Sequence, residues 1–146
     1  MSVGAVKVRE KLEKGETVFG IFFHWITNPM IAQMLPDEGL DFVVCNTEHN
    51  ALSMADFLSL RHVLEGKGIA CLVRIHNREP EDVAKACDAF DGVVIPYVED
   101  PEKLKRLVAA AKYRPLKGEA LEKLITGFGW PSEKTAMYIE EKCAST

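Results

Sequence analysis

Short apolar runs alternate with amphipathic stretches along most of the chain. The runs are rich in Val, Ile and Phe and fall within residues 17–23, 41–50, 69–75 and 93–96. They lack the alternation of polar and apolar residues that marks a strand with one face in water, so they predict strands buried on both faces. The stretches between them carry apolar residues at helical spacing. The pattern therefore predicts a strand followed by a helix, four times in succession.

Capping residues mark where the predicted helices begin. Asn28-Pro29 and Asp100-Pro101 each combine an N-cap residue with a proline, which is favoured at the first helical position. Ser53, followed three positions later by Asp56, resembles a capping box. The predicted helices are residues 6–14 before Gly15, the stretch from Pro29 to Leu35, the stretch after Ser53 with Phe57, Leu58, Leu60, Val63 and Leu64 toward the core, residues 80–86, and residues 101–112.

These elements predict an α/β fold with a parallel sheet, helices over the sheet and right-handed crossovers. A chain of 146 residues suits a single domain, residues 1–146. After Tyr113 the pattern changes to a loop, short helical pieces at 119–125 and after Ser132, and a turn at 127–131. No fifth strand is predicted before Thr146.

Composition and charge narrow the functional classes. The net charge is −4 and the Lys and Arg residues are scattered, so we expect no nucleic-acid partner. No apolar run has the length of a membrane span, and the first residues lack the pattern of a secretory signal. The cysteines form no CxxC pair, so buried thiols in a reducing cytoplasm are expected rather than disulfides or metal ligands. The cysteines are Cys45, Cys71, Cys87 and Cys143.

Polar side chains follow the predicted strands at the point where each strand ends. Glu48 and His49 come after the second strand, and Arg74 ends the third. Because the carboxyl ends of parallel strands meet at one rim, we expect these three groups to lie together. A guanidinium suits a small carboxylate, and an imidazole suits proton transfer beside a carbonyl. Other residues at the strand ends are His24, Trp25, His76, Tyr97 and Glu99.

Each candidate also has a plain structural interpretation. The alternative for Arg74 is an ion pair at the end of the sheet. The alternative for His49 is a solvated loop residue. His24 and His76 are expected to be structural or exposed rather than catalytic. Asp88 lies near the end of the third helix of the repeating pattern, and its local sequence predicts an ordinary carboxylate at a helix C-terminus or in a loop. A metal shared by the adjacent Glu48 and His49 is not expected, because neighbours on a regular strand point to opposite sides.

The order of these motifs resembles that of the HpcH/HpaI aldolases, which act on 2-keto-3-deoxy sugar acids and 4-hydroxy-2-oxo acids. The resemblance covers about residues 7–127, and it depends on order and spacing rather than on any single motif. The matching segments are Lys14-Gly15, Gly20-Ile21, Gly39 to Val44, Thr47-Glu48-His49, Leu72-Val73-Arg74, Cys87-Asp88-Ala89, Gly92 to Val98 and Lys112 to Pro115.

The resemblance implies a parallel (β/α) barrel of TIM type, of which this chain holds about the first four β/α units. It implies a class II aldolase, a carbon–carbon lyase that reversibly cleaves a 2-oxo-4-hydroxy acid to pyruvate and an aldehyde with a divalent metal, Mg²⁺ or Mn²⁺. By position, His49 would be the catalytic base, Arg74 would hold pyruvate with Glu48 beside it, and Asp88 would be a site carboxylate. The metal ligands, a Glu and an Asp, would come from the second half of the barrel, beyond Thr146.

Two departures from the family limit what the resemblance implies. Asn46 stands where the family has an Asp that orients the catalytic histidine, so proton abstraction should be weaker. The loop from Asp88 to Gly92 is also one residue shorter than the corresponding loop of the family. Because four strands would leave two open sheet edges, we expect a partial chain of an aldolase, a homo-oligomer, or a second chain that completes the barrel. The alternative functions are a catalytically inactive half-barrel that serves binding or assembly, and a related 2-oxo acid lyase or decarboxylase.

Overall fold

A computed structural model of the chain describes residues 2–36 and 38–113. Helices and strands alternate along this part of the chain, as the hydrophobic pattern predicts. The helices are α1 (Val3–Glu13), α2 (Pro29–Met34), α3 (Leu58–Gly66, preceded by the 3₁₀ turn Met54–Phe57), α4 (Pro80–Ala89) and α5 (Pro101–Lys112). The strands are β1 (Gly20–Phe23), β2 (Phe42–Asn46), β3 (Ala70–Arg74) and β4 (Gly92–Val94).

The four strands form one parallel sheet in the order β1-β2-β3-β4. Each strand therefore lies beside its neighbour in sequence, with a helix in every connection. This arrangement confirms the predicted α/β fold, which is that of the first four units of a parallel barrel. Within the described residues, β1 and β4 each have a neighbouring strand on one side only.

The two faces of the sheet differ in burial. One face carries Phe23, Val43, Cys45, Cys71 and Val73, all of them buried. The other face, called the site face below, carries Phe22, Val44, Asn46, Leu72 and Arg74. Exposure on the site face varies, because Asn46 is fully buried whereas Phe22 is 49% exposed. The buried face forms the core, and the site face is partly open.

Capping explains where the helices begin. The side chains of Asn28 and Asp100 accept hydrogen bonds from the second residue of their helices, as predicted. Helix α1 begins earlier than the predicted residue 6, because Ser2 Oγ accepts a hydrogen bond from the Ala5 N–H and caps the helix there. Gly15, with a φ of 74°, follows the end of α1 in a conformation that favours glycine.

Two sequence-based predictions about the helices were wrong in detail. Leu58 is 38% exposed rather than part of the core, whereas Phe57, Leu60 and Leu64 on the same segment are fully buried. Leu58 is the first residue of the α-helix after a 3₁₀ turn. Its side chain therefore does not point in the direction that one continuous α-helix through the segment would give it. Helix α4 also extends past residue 86 and ends at Ala89.

Helix α1 packs closely against the beginning of β3. A side chain on Gly4 would overlap the backbone at Ile69 and Ala70, so only glycine permits this approach. Asp41, just before β2, binds Lys11 Nζ at 2.5 Å and accepts a hydrogen bond from the Phe19 N–H at 2.9 Å. These contacts fix α1 at the amino-terminal edge of the sheet.

The chain divides into two compact units: Met1–Asn77 with Ala86–Pro96, and Arg78–Lys85 with Tyr97–Thr146. The first contains the whole sheet, and the second contains α5. The predicted single domain over residues 1–146 stays a prediction, and the elements predicted at 119–125, 127–131 and after 132 lie outside the described residues. Among the helices that the structure describes, none has the length and apolarity needed to cross a membrane.

Candidate functional site

Three side chains form a row across the carboxyl ends of neighbouring strands. Asn46 ends β2 and pairs in register with Arg74, which ends β3. His24 follows β1 directly, and its ring lies beside the Asn46 amide. The register of the parallel sheet therefore places an imidazole, an amide and a guanidinium side by side on the site face.

The Asn46 amide connects the members of this row. Its Oδ1 accepts hydrogen bonds from Arg74 Nε at 2.7 Å and from the Glu48 N–H at 3.2 Å. Its Nδ2 lies 3.2 Å from His24 Nδ1. Asn46 is fully buried, so these bonds replace the water that the amide would bind in the unfolded chain.

Glu48 has a buried carboxylate with an unusual environment. Its side chain is 6% exposed, and Oε2 lies 3.0 Å from Arg74 Nε. Because the single Nε–H of Arg74 points to Asn46, Oε2 gains the charge attraction of an ion pair but accepts no hydrogen bond. Burial without a hydrogen-bond donor is costly for a carboxylate oxygen, so the charge of Arg74 is what stabilises it here.

The loop after β2 is fixed by backbone contacts to both neighbouring strands. The Thr47 hydroxyl donates to the Arg74 carbonyl at 2.7 Å. The Asn50 side-chain amide donates to the carbonyls of His24, at 2.5 Å, and of Asn46, at 2.7 Å. Loops that carry site residues are commonly held by such bonds, because the side chains then keep a defined position.

Phe22 supplies the apolar part of the same cluster. Its ring stacks on the His24 ring, with centroids 5.9 Å apart and an angle of 28°. The Arg74 guanidinium carbon lies 5.4 Å from the Phe22 centroid, within the range of a cation–π contact. Phe22 thus contacts the two ends of the His24–Asn46–Arg74 row.

The structure brings Glu48, His49 and Arg74 together at one rim, as the strand-end argument predicts. His49 Nε2 lies 3.4 Å from Glu48 Oε2, but the His49 side chain is 56% exposed. Asp88 lies in the last turn of α4 with an exposed side chain. His76 is also exposed, just after β3.

Asn46 contacts a different histidine from the one that the family resemblance assigns as the base. The ring beside its amide is that of His24, whereas the resemblance assigns the base to His49. Position on the sheet explains the difference, since His24 is next in register to Asn46 whereas His49 lies three residues beyond β2. The relevant signal in the sequence was the spacing of two between Phe22 and His24, which puts both on the site face.

The described residues do not form a metal centre. No group of three or more His, Cys, Asp or Glu side chains that suits a metal ion is present in residues 2–36 and 38–113. Glu48 Oε2 is the buried oxygen without a donor, but the Arg74 guanidinium beside it repels a cation. The cluster suits an anion instead, because within the same residues the side-chain hydrogen bond of Arg74 uses Nε and not its terminal nitrogens.

Curated relatives share sequence with the amino-terminal part of this chain. No protein-family model matches it. A 5-keto-4-deoxy-D-glucarate aldolase from Escherichia coli (strain ATCC 8739) is 31% identical over 91 residues, which are 62% of this chain and 36% of the relative. Proteins of the same name from other E. coli strains, such as O139:H28, are 30% identical over the same share. The chain thus spans about a third of the length of these relatives.

Solved structures share the fold. An HpcH/HpaI aldolase from Desulfitobacterium hafniense DCB-2 matches with a TM-score of 0.67 and 26% identity, over 92% of this chain and 52% of that one. The citrate synthase SbnG matches with a TM-score of 0.64 and 30% identity, over 74% of this chain and 44% of that one. In sequence and in fold, this chain is therefore similar to part of an HpcH/HpaI aldolase, as its motifs predicted.

Proposed function

We propose that this chain supplies the 2-oxo-acid-binding half of a pyruvate aldolase, a carbon–carbon lyase that reversibly cleaves a 2-oxo-4-hydroxy acid to pyruvate and an aldehyde. The observation that carries this proposal is the Arg74 guanidinium at the end of β3. It is held at Nε by Asn46, it lies beside a buried carboxylate, and its terminal nitrogens donate no hydrogen bond to the described residues. A guanidinium held in this way is preorganised for a small carboxylate.

The other residues have roles that follow from their positions. The Arg74 charge would bind the carboxylate of pyruvate and stabilise the negative charge of its enolate. Glu48, held beside Arg74, would fix the guanidinium. His49 remains the proposed base, because its exposed ring has access to a bound ligand at the same rim. Asp88 is proposed as a further site carboxylate through the family resemblance alone.

The metal and the closed barrel belong to the proposal only through the resemblance. A class II aldolase uses a divalent ion such as Mg²⁺ or Mn²⁺, and its ligands would have to come from outside the described residues. The edges of β1 and β4 would be covered by a second chain or by another copy of this one. A cytoplasmic location is proposed because Cys45 and Cys71 are buried thiols.

The direct test of this proposal is exchange of the pyruvate methyl protons in D₂O, followed by NMR. The exchange measures enolisation without knowledge of the aldehyde. We expect loss of the methyl signal with Mg²⁺ or Mn²⁺, and a much slower loss with a chelator or with Arg74→Ala. No exchange above the buffer rate under every metal condition, from a protein that circular dichroism shows to be folded, would refute enolisation by this chain.

A second candidate function is assembly without catalysis. An open cleft of about 450 Å³ lies between α1 and the start of β3, lined mainly by apolar side chains such as Val8, Leu12 and Leu72. Together with the open edges of β1 and β4, it favours a surface that another half-barrel covers. Sedimentation equilibrium distinguishes this candidate: a stable dimer without pyruvate exchange supports assembly, whereas a monomer that exchanges pyruvate excludes it.

A further inference from the structure

The hydrogen bonds around Asn46 determine the tautomer of His24. Arg74 Nε and the Glu48 N–H are both donors, so the atom that meets them must be the amide oxygen of Asn46. The amide nitrogen therefore faces His24 Nδ1, 3.2 Å away. Since that nitrogen only donates, Nδ1 accepts, and the neutral ring carries its proton on Nε2.

This tautomer decides what His24 offers to a ligand. The lone pair on Nδ1 is used by Asn46, and Nε2 carries a hydrogen, so the neutral ring is a donor rather than a base. The ring is exposed, and its Nε2 makes no hydrogen bond to any other residue in the part of the chain that the structure describes. Stacking on Phe22 restricts the tilt of the ring.

The position of His24 places this donor at the site of Arg74. Asn46 contacts both residues, and Phe22 contacts both as well. A 2-oxo acid carries a carboxylate and an adjacent carbonyl oxygen, so a site for it needs a cation and a second donor. Arg74 supplies the cation, and the His24 Nε2–H supplies a donor in the same cluster.

We propose that His24 is a substrate-binding residue, whose Nε2–H donates to an oxygen of the bound 2-oxo acid while Asn46 holds the ring in the required tautomer. This inference rests on the function proposed above and goes beyond it, because it assigns a histidine outside the Glu48–His49 motif. It also gives Asn46 a role: a carboxylate at position 46 would accept from Nδ1–H and turn Nε2 into an acceptor.

The first test is spectroscopic and independent of activity. In protein labelled with ¹⁵N-histidine, long-range ¹H–¹⁵N correlation spectra at a pH where the ring is neutral identify the nitrogen that carries the proton. We expect the His24 proton on Nε2 in the wild type and on Nδ1 in Asn46→Asp. A wild-type ring protonated on Nδ1 would overturn the proposal. The resonances are assigned with His24→Gln, and His62 on the exposed side of α3 serves as the reference ring.

The second test measures pyruvate binding by calorimetry with matched variants. His24→Asn retains an acceptor near the Nδ1 position but has no donor at Nε2, so it should weaken pyruvate binding roughly 3- to 10-fold. His24→Gln places an amide N–H near Nε2 and should bind within about 2-fold of wild type. His62→Gln should leave the affinity unchanged.

The outcomes separate this proposal from the one it rests on. Wild-type protein that binds pyruvate, with His24→Asn and His24→Gln binding equally well, would overturn the role of His24 and leave the proposed function intact. Wild-type protein without affinity for pyruvate would overturn both proposals, even with the proton on Nε2. A selective loss in His24→Asn, restored in His24→Gln, supports the assignment.

Discussion

Arg74 directs its Nε–H to Asn46 Oδ1, 2.7 Å away, and thereby fixes a fully buried amide at the end of the neighbouring strand. The carboxylate of Glu48, with Oε2 only 3.0 Å from the same nitrogen, forms an ion pair with the guanidinium, but its Oε2 accepts no hydrogen bond. The guanidinium is therefore oriented by a neutral partner and balanced by an anionic one. This arrangement leaves its terminal nitrogens for a ligand, and the predictions for the site follow from it.

Replacing Arg74 should remove pyruvate binding, and the two obvious variants should differ in degree. Arg74→Ala deletes the cation, which for a charge-assisted hydrogen bond costs about 1.5–3 kcal/mol of binding free energy, or roughly 10- to 150-fold in Kd. Arg74→Lys retains a positive charge but loses the planar fork, so an intermediate loss is expected. Calorimetric titration with pyruvate measures both, and unchanged affinity in Arg74→Ala would contradict the site.

Asn46 should matter for folding as well as for the site. Asn46→Leu leaves Arg74 Nε and the Glu48 N–H without an acceptor, and we expect a loss of about 2–3 kcal/mol in the free energy of unfolding. The control is Asn77→Leu at an exposed position, expected to change stability by less than about 0.5 kcal/mol. Urea denaturation followed by circular dichroism compares them, and equal stability of the two variants would argue against the network.

The contact between Lys11 and Asp41 should make stability depend on pH. The hydrogen bond from the Lys11 ammonium, together with that from the Phe19 N–H, holds the pKa of Asp41 below its usual value of 3.8. A carboxyl whose pKa is lowered by folding adds stability above its unfolded pKa, and this stability is lost as the pH falls through the folded pKa.

We therefore expect Asp41→Asn to cost about 1–2 kcal/mol at pH 7 and progressively less below about pH 4. Glu13→Gln is the matched control, because Glu13 forms an exposed pair with Arg9 at 3.5 Å and should contribute little at either pH. Urea denaturation at several pH values gives the comparison. A cost of Asp41→Asn that is the same at pH 3 and pH 7 would disprove the linkage.

Two helical glycines should respond oppositely to alanine. A Cβ on Gly4 would overlap the backbone at the start of β3, so Gly4→Ala should destabilise the protein by about 1–3 kcal/mol. Gly66, in α3, has no atom within 4 Å of an added Cβ. Gly66→Ala should therefore be neutral or stabilising by up to about 1 kcal/mol. Thermal denaturation of the pair tests the position of α1, and an equally tolerated Gly4→Ala would be inconsistent with it.

The two buried thiols should resist modification in the folded state. Cys45 Sγ and Cys71 Sγ lie 3.6 Å apart, and this contact together with burial strongly raises the pKa of the Cys71 thiol. Because the thiolate is the reactive form, labelling of both with iodoacetamide at pH 8 should require unfolding. Mass spectrometry across a urea series should show labelling that follows loss of the circular dichroism signal. Rapid labelling of either thiol without urea would contradict the burial of this pair.

Much of the fold was predictable because local signals agreed with one another. The apolar runs predicted the four strands, and Asn28-Pro29 and Asp100-Pro101 marked helix starts that the structure confirms. Helix boundaries were less predictable. The start of α1, for example, depends on one capping residue, Ser2, before a helix that is only weakly apolar. Leu58 was misjudged because a 3₁₀ turn changes the helical phase just before it.

The sequence predicted which side chains of the candidate site lie at the strand ends, but not which of them contact one another. Parallel strands bring Glu48 and Arg74 to one rim whatever the details of packing. The partner of Asn46 depends instead on how β1 is registered against β2, and this register is a long-range property. The orientation of the buried amide likewise follows from three donors and acceptors that only the folded chain brings together.

The most direct test of the central claim is a titration of ¹⁵N-labelled protein with pyruvate, followed by ¹H–¹⁵N NMR. We expect saturable shifts, with one common Kd, of the Arg74 Nε–H, the Asn46 side-chain amide and the Glu48 backbone amide. The shifts of the last two should require roughly 10- to 150-fold more pyruvate in Arg74→Ala and roughly 3- to 10-fold more in His24→Asn. The absence of shifts in these three resonances, or shifts confined to residues elsewhere in the chain, would show that the row of His24, Asn46 and Arg74 is not where a 2-oxo acid binds.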